Sequence, residues 1–349
     1  MMAASPSEPV DGLLASATVL VVIGPGGVGK TTLAAALGAR AVVSHQRRVL
    51  VVTVDPARRL AEALGIREVA EEPILVPAGP GAGRLWALMV DMARSWDRLV
   101  HRHAPDAKTE SSLLENPLYR TLTTRFVQSH DYIALDRLAD LVDDDRYDLV
   151  IIDTPPSTHA LGVLDAPDRM IDFFGSRLST WLTAPYRNRL VRASASPFLA
   201  VAERLLGGPF LAQIADFFWL LSALQPDFVR RAKQVNVVLN APDTRYVMVH
   251  TPEPLPAQRA IELAASLAER GFVPSLVLVN RSPDPILAAV TDAEVEQIDD
   301  ERVREAVAAV LREARREMPD WGDIPIQKVP WSNELATVAD LAGVFDAAI

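Results

Sequence analysis

GPGGVGKT, residues 24–31, follows the apolar run Val19–Ile23 and leads into a stretch with helical character. It fits the phosphate-loop pattern G-x-x-x-x-G-K-[ST] in the strand–loop–helix context that the pattern needs. The glycines let successive backbone N–H groups point inward as a nest for phosphate oxygens, and the helix N-terminus adds partial positive charge. The expected nucleotide contacts are Gly24, Gly26, Gly27, Val28, Gly29, Lys30, Thr31 and Thr32.

Two side chains of this loop are expected to carry its chemistry. Lys30 would reach the β- and γ-phosphates as a catalytic residue, and the Thr31 hydroxyl would ligate Mg²⁺. The alternative is a glycine-rich turn that matches the pattern by chance. Such a chance match is rarer when a strand must also precede the loop and a helix must follow it. The loop therefore predicts ATP and Mg²⁺ as the bound groups.

The composition excludes several kinds of site. The 349 residues carry a formal net charge of −10, which argues against a broad nucleic-acid surface. The chain has no cysteine, so disulfides, thiolate metal sites and cysteine nucleophiles are all excluded. Residues 205–224 are long enough for a membrane span but contain glycine, proline, glutamine and aspartate, so we reject a span there. We expect a soluble, cytoplasmic protein that does not bind nucleic acid.

Apolar runs alternate with helical patterns along the chain. Strands are expected at 19–23, 49–54, 148–153, 246–250, 276–280 and 324–329, with a further edge strand at 85–91 and a loop at 71–83. The runs are nearly all apolar, which indicates parallel strands that are buried on both faces. The pattern predicts an α/β fold, a doubly wound and mostly parallel sheet of the P-loop NTPase type.

The expected domain organisation has three parts. Residues 1–17 are small, acidic and proline-containing, and are interpreted as a disordered leader. Residues 18–349 are expected to form a single NTPase domain. Two long strandless stretches, about 92–146 and 165–238, are interpreted as one helical subdomain inserted into it.

Aspartates follow two of the predicted strands, at the sheet edge where ligands of such folds bind. Asp153 ends an apolar strand and is expected to fix the Mg²⁺ water shell beside Thr31, the alternative being a strand-terminal turn cap. Asp55 could orient or deprotonate the attacking water as a catalytic residue. Its alternative role is the N-cap of a helix that starts at Pro56, and both roles could hold.

Two further polar residues lie near strand ends. Asn280 follows Val279 and is placed to hydrogen-bond the edge of a purine, although asparagine is also an ordinary turn residue. His159 lies six residues beyond Asp153 and is kept as a candidate switch residue. A lone histidine is more often structural.

Together these motifs resemble the ArsA-type ATPases. The resemblance is carried by residues 26–32, Asp55-Pro56-Ala57, 153–159 and Val279-Asn280-Arg281. That family includes the arsenite-pump ATPase and the ATPase that targets tail-anchored membrane proteins. It lies within a wider class with MinD, ParA and the nitrogenase iron protein. The match is dense over about 19–66, 147–166 and 245–281, and weak in the helical stretches.

The resemblance implies a dimer with nucleotide at or near its interface. Asp55 would lie in the first switch, and Asp153 and His159 in the second. Asn280 would contact adenine, and the loop near Pro330-Trp331 is expected beside it. The helical insertions would bind a hydrophobic client or a membrane-protein partner, with residues 210–224 as the candidate surface. The alternative for that stretch is a core or dimer-packing helix.

Pro25 departs from the family pattern. The family loop has a lysine there that reaches the partner's phosphates, and a cation supplied in this way is worth roughly 10³–10⁵ in rate when it is an arginine finger. Three options follow: slow turnover, substitution by Arg58 or Arg59, or a heterodimer with a lysine-bearing paralogue in place of a homodimer. The lack of cysteine also excludes a three-cysteine arsenite site and an intersubunit zinc clasp.

Three functions are compatible with these motifs to different degrees. The first is an ATP-hydrolysing dimer whose closure couples to a partner or client, of the anion-pump or membrane-protein-targeting type. The second is a nucleotide-binding regulator or scaffold with negligible hydrolysis. The third, a DNA-partitioning or membrane-positioning ATPase, fits poorly because the chain is acidic and residues 333–349 lack a basic helix face.

Overall fold

The computed structural model describes most of the chain. The described residues are 8–54, 59–68, 70, 72–90, 92–119, 137, 139–155, 162, 164–169, 171–172, 208–283, 287, 290–316, 318–332 and 337–346. Asp55, Arg58 and His159 lie outside them, so the predictions for these three residues stay predictions.

One sheet organises the nucleotide-loop part of the chain. Its order is β3-β4-β2-β5-β1-β6-β7-β8, and all neighbours are parallel except β3 and β4. The strands are β1 (Val19–Ile23), β2 (Arg48–Thr53), β3 (Ile74–Val76), β4 (Arg84–Met89), β5 (Leu149–Asp153), β6 (Thr244–His250), β7 (Leu276–Ser282) and β8 (Ile326–Pro330). The central strands β1 and β5 are buried at every position. The predicted α/β class with a mostly parallel sheet is confirmed.

The edge of the sheet differs from the prediction. The expected edge strand is β4, but β3 pairs with it antiparallel, with Ile74 opposite Ala87. The expected loop at 71–83 therefore contains a strand. Three apolar residues between proline- and glycine-rich flanks are too short for an alternation pattern to be visible.

Helices precede, connect and follow the strands. Those in the sheet part are α1 (Glu8–Ser16), α2 (Lys30–His45), α3 (Arg59–Ala63), α8 (Pro254–Ala268), α9 (Asp292–Glu296), α10 (Glu301–Ala314) and α11 (Val338–Gly343). Helix α2 follows the phosphate loop, and its Leu33, Leu37 and Val42 are buried in the core. The approach of α2 to the sheet is close at Gly38, where a Cβ atom would lie 2.7 Å from Val51 Cγ2.

The expected disordered leader is wrong for residues 8–16, which form α1. Its Val10 and Leu14 are fully buried. Asp11 accepts hydrogen bonds from the Arg40 side chain of α2 at 2.9 and 2.8 Å, and Arg40 also bonds Asp346 near the C-terminus at 2.6 Å. The apolar residues of α1 therefore pack against α2. The acidic, proline-containing composition of this segment did not reveal that packing.

The chain divides into two compact units. One comprises 1–90, 141–161 and 240–349, and the other comprises 91–140 and 162–239. The described helices of the second unit are α4 (Met92–His103), α5 (Ala107–Leu114), α6 (Gly208–Ser222) and α7 (Gln225–Leu239). Within the second unit, Phe228 is fully buried with its ring 5.9 Å from that of Trp96. Arg231, also buried, donates to Asp140 at 2.6 Å.

Helix α6 covers most of the stretch proposed as a client surface. Phe217, Leu221 and Leu224 in or beside it are buried, whereas Trp219 is 41% exposed. The alternative of a packing role is therefore correct for these three buried residues, while Phe210 lies outside the described side chains. Among the helices that the structure describes, none has the length and apolar character needed to cross a bilayer.

A buried histidine gives this fold a pH dependence. His250 has no solvent exposure, stacks on Trp321 with ring centroids 5.5 Å apart, and its Nδ1–H donates to the Thr251 carbonyl at 2.9 Å. Burial lowers the pKa of His250 below its ordinary 6.5, against smaller raising effects from Thr251 and Glu253. The neutral ring is thus favoured in the folded state, and its stabilisation is full above pH 6.5 and lost as the pH falls towards the folded-state pKa.

We expect His250→Gln to flatten the acid side of the stability profile. Below pH 6.5 the wild type should lose up to about 1.4 kcal/mol per pH unit that a non-titrating side chain does not lose. The measurement is denaturant unfolding of both proteins from pH 7.5 to 5.0. Parallel profiles for the two proteins would contradict this account of His250.

Candidate nucleotide-binding site

The phosphate loop lies at the carboxyl edge of the sheet, between β1 and α2. Its path depends on two glycines that pack closely. A Cβ atom on Gly24 would lie 2.1 Å from the Val249 carbonyl oxygen of β6, and one on Gly29 would lie 2.2 Å from Asn280 Nδ2. Gly29 also has φ +92°, in the left-handed region that favours glycine. Gly24 is therefore required by the neighbouring strand β6, and Gly29 by its own left-handed backbone conformation.

Lys30 lies along the loop that precedes it. Its side chain is buried, at 7% exposure, and its ammonium donates to the carbonyls of Gly24 at 3.1 Å and Pro25 at 2.9 Å. Gly26 and Gly27 are exposed beside it. The single buried cation of this loop is thus held by the backbone of the segment predicted to surround phosphate groups.

The predicted metal residues meet at one carboxylate oxygen. Asp153 Oδ2 accepts from the Thr31 hydroxyl at 2.7 Å and from the Thr53 hydroxyl at 3.0 Å, and Asp153 is 1% exposed. Thr53 ends β2 and is paired in register with Asp153 on β5. Sequence reasoning missed Thr53. The available signal was its place as the last residue of an apolar strand, next to the strand that ends in Asp153.

These oxygens suit a hard cation. Mg²⁺ binds through few protein oxygens and keeps several waters, and a hydroxyl that donates its proton still has lone pairs for a metal. Thr31 has this arrangement, since it donates to Asp153. The donor set of Thr31 and Asp153 therefore fits the metal that the fold implies.

Asn280 packs onto the loop from β7. Its Nδ2 donates to the Val28 carbonyl at 2.8 Å, so the amide lies against the loop backbone. The expected contact with a purine stays a prediction. After Asn280 the register of β7 with β8 shifts, and Arg281 takes φ +57°, a conformation uncommon outside glycine.

This irregularity brings two planar groups together. The Arg281 guanidinium lies 5.2 Å from the centre of the Trp331 ring, a cation–π arrangement. Trp331 follows Pro330 at the end of β8 and is 61% exposed. Sequence reasoning pointed to the loop near Pro330-Trp331 and included Arg281 in the family motif, but assigned Arg281 no role, because its contact with Trp331 follows from the bulge in β7.

Pro25 is buried, and its carbonyl accepts from Lys30. A proline has no backbone N–H and no cationic side chain, so this position supplies neither a nest donor nor a positive charge. Of the two arginines considered as substitutes, Arg59 begins α3 and is exposed, and Arg58 lies outside the described residues. The roles of Arg58 and Arg59 as substitute cations therefore stay predictions.

Comparison with known proteins agrees with this geometry. A family profile described as "Anion-transporting ATPase" matches residues 17–334. An "ATPase ASNA1 homolog" of Entamoeba dispar is 24% identical over 293 residues, which cover 80% of this chain and 81% of that protein. An "ATPase ASNA1 homolog 2" of Paramecium tetraurelia is 27% identical over 155 residues, 43% of this chain and 44% of that protein.

A third relative carries a different name. A "Putative arsenical pump-driving ATPase" of Halobacterium salinarum is 29% identical over 157 residues, 42% of this chain and 23% of that protein. The matches to the Paramecium and Halobacterium proteins thus span less than half of either relative. The profile covers most of this chain, including the loop, Asp153 and Asn280. The chain therefore belongs to the ArsA family of anion-transporting ATPases.

Proposed function

We propose that this chain binds and hydrolyses Mg-ATP as a dimer, and that nucleotide-driven closure couples hydrolysis to a partner or client. The observation that carries the proposal is the assembly of a buried lysine, a hydroxyl and a carboxylate around one phosphate loop, namely Lys30, Thr31 and Asp153. The family's name supports an ATPase activity. ATP is a cytoplasmic metabolite, and we place the protein in the cytoplasm for that reason.

Each residue has a defined role in this proposal. Lys30 exchanges the loop carbonyls for phosphate oxygens and balances their charge, while Thr31 offers a lone pair to the metal and Asp153 holds Thr31. Mg²⁺, when bound, neutralises charge that develops on the phosphates. Asp55 orients or deprotonates the attacking water, and Asp55, Asp153 and His159 belong to the switches.

The base would lie beside Asn280. An amide carries two N–H donors and a carbonyl, so the bond to Val28 leaves further capacity for the edge of adenine. The exposed Trp331 ring and Pro330 lie at the end of the adjacent strand, and an aromatic face is suited to stacking on a base. These features support a purine base, and membership of an ATPase family supports adenine.

Slow turnover follows from Pro25. The cation that an arginine finger supplies is worth roughly 10³–10⁵ in rate, and this loop has none at that position. We propose that a homodimer turns over slowly unless a cation such as Arg58 or Arg59 substitutes for the lysine. A heterodimer with a lysine-bearing paralogue would restore the rate, and mixing the two chains should then raise phosphate release.

The proposed client is a class of molecule and not an individual protein. We propose a hydrophobic or membrane-protein partner on the helical unit, and no nucleic acid. Trp219 on α6 and Val237 on α7, which are 41% and 71% exposed, are the described apolar residues that support it.

The decisive experiment measures ATP binding and phosphate release separately. Calorimetric titration with ATP and steady-state phosphate release are recorded with Mg²⁺ and with EDTA, and sedimentation reports the oligomeric state with and without nucleotide. We expect binding, slow Mg²⁺-dependent release and a nucleotide-dependent dimer. Binding without release would favour the nucleotide-binding regulator or scaffold, and no binding would reject both functions.

A further inference from the structure

A second threonine holds the carboxylate that the proposed metal needs. Thr53 is 2% exposed. Its hydroxyl donates to Asp153 Oδ2 at 3.0 Å, and the Thr31 hydroxyl donates to the same oxygen at 2.7 Å. The oxygen thus accepts from one hydroxyl at the start of a helix and from another at the end of the adjacent strand. Thr31 has a place in the proposed chemistry, whereas Thr53 has none so far.

The position of Thr53 is fixed by the sheet and not by the loop. Thr53 and Asp153 are register partners on the parallel strands β2 and β5, and Asp153 is also the register partner of Val22 on β1. Side chains of register partners point to the same face of a sheet. Threonine is β-branched and stiff at χ1, so its hydroxyl is set before any ligand binds.

We infer that Thr53 is a positioning residue, which holds the Asp153 carboxylate in the orientation that lets Asp153 and Thr31 receive the metal of the bound nucleotide. Groups of this kind orient the residues that face a metal, and their removal typically lowers metal affinity or activity by about 10–100-fold. Removal of the Thr53 hydroxyl takes away one of the two hydroxyl bonds to Asp153 Oδ2, so the orientation of the carboxylate is less restricted. The metal site then has to be ordered when the metal binds.

The inference rests on the proposed function. It predicts different effects on the binding of metal-free ATP and on the binding of the metal. Phosphate oxygens would be bound by the loop backbone and Lys30, whereas the Thr53 hydroxyl donates to the carboxylate on the metal side of the site. Binding of metal-free ATP should therefore be almost unchanged when Thr53 is altered. Binding of the metal in the presence of nucleotide should weaken.

The test uses Mn²⁺ as a spectroscopic probe on the full chain. Electron paramagnetic resonance measures the dissociation constant of Mn²⁺ in the presence of saturating ADP, and calorimetry measures ATP binding in EDTA. We expect Thr53→Val to weaken Mn²⁺ binding about 10–100-fold and to change metal-free ATP binding less than twofold. Thr53→Ser, which restores a hydroxyl, should return Mn²⁺ affinity to within a few-fold of wild type.

The controls separate this role from general packing. Thr18 donates to Asp243 at 2.8 Å at the opposite end of β1, so Thr18→Val removes the same kind of bond away from the loop and should leave both affinities unchanged. Thr53→Ala provides a second variant without the hydroxyl if Thr53→Val does not fold. Wild-type Mn²⁺ affinity in both hydroxyl-free variants would overturn the inference alone, whereas failure of the wild type to bind nucleotide would overturn the proposed function with it.

Discussion

Lys30→Ala is expected to abolish detectable phosphate release while the protein stays folded. Lys30 is the buried cation of the loop, and its ammonium lies on the carbonyls of Gly24 and Pro25, beside the exposed glycines. Removing one preorganised donor from a site where charge develops lowers kcat by about 10²–10³-fold. Pro25 leaves this loop without a second lysine, so the loss should reach the upper end of that range.

The fold should survive this change because the two loop carbonyls can bind water in place of the ammonium. Lys328→Ala is the matched control, since Lys328 is an exposed lysine on β8 and should behave as wild type. Lys30→Arg should not restore release, because a planar guanidinium does not replace a compact ammonium in a fitted site. The measurements are steady-state phosphate release and calorimetric ATP binding. Wild-type release no faster than that of Lys30→Ala, with ATP still bound, would favour the regulator over the enzyme.

Gly24→Ala is expected to damage both stability and nucleotide binding. The added methyl would lie 2.1 Å from the carbonyl oxygen and 3.1 Å from the carbonyl carbon of Val249. Val249 belongs to β6, which pairs with β1 directly before the loop, so neither backbone can move without disturbing the sheet. Overpacking of this kind destabilises by about 1–3 kcal/mol. A displaced loop should also weaken ATP binding by at least about tenfold, since each 1.4 kcal/mol is tenfold in affinity.

The same substitution elsewhere provides the control. Gly12 lies in α1 with no atom within 4 Å of an added Cβ, so Gly12→Ala should be neutral or stabilise by about 0.5–1 kcal/mol. Denaturant unfolding and ATP titration of both variants make the comparison. An unfolding midpoint and an ATP affinity at wild-type values in Gly24→Ala would contradict the close contact between the loop and β6.

Much of the fold could be predicted from local pattern. The strands β1, β2 and β5 are mostly apolar, and their bounds agree with the prediction within one residue. The pattern failed for β3, which has three residues, and for α1, whose apolar positions are surrounded by small and acidic residues. Short or mixed segments take their structure from the partner they pack against, which a local window does not contain.

The sequence by itself determined the glycine-rich loop, the class of sheet and the polar residues at the strand ends. The loop and the strand ends are encoded in short motifs, and the class of sheet in the alternation of apolar runs with helical segments. Only the tertiary structure decided which residues meet there. Thr53 and Asp153 are 100 residues apart in the chain, and Asn280 and Val28 are 252 apart. Strand order and register set these contacts, and they arise from long-range pairing between segments whose local patterns are nearly identical. The roles of Thr53, Val249 and Arg281 could therefore be seen only after the strands were paired.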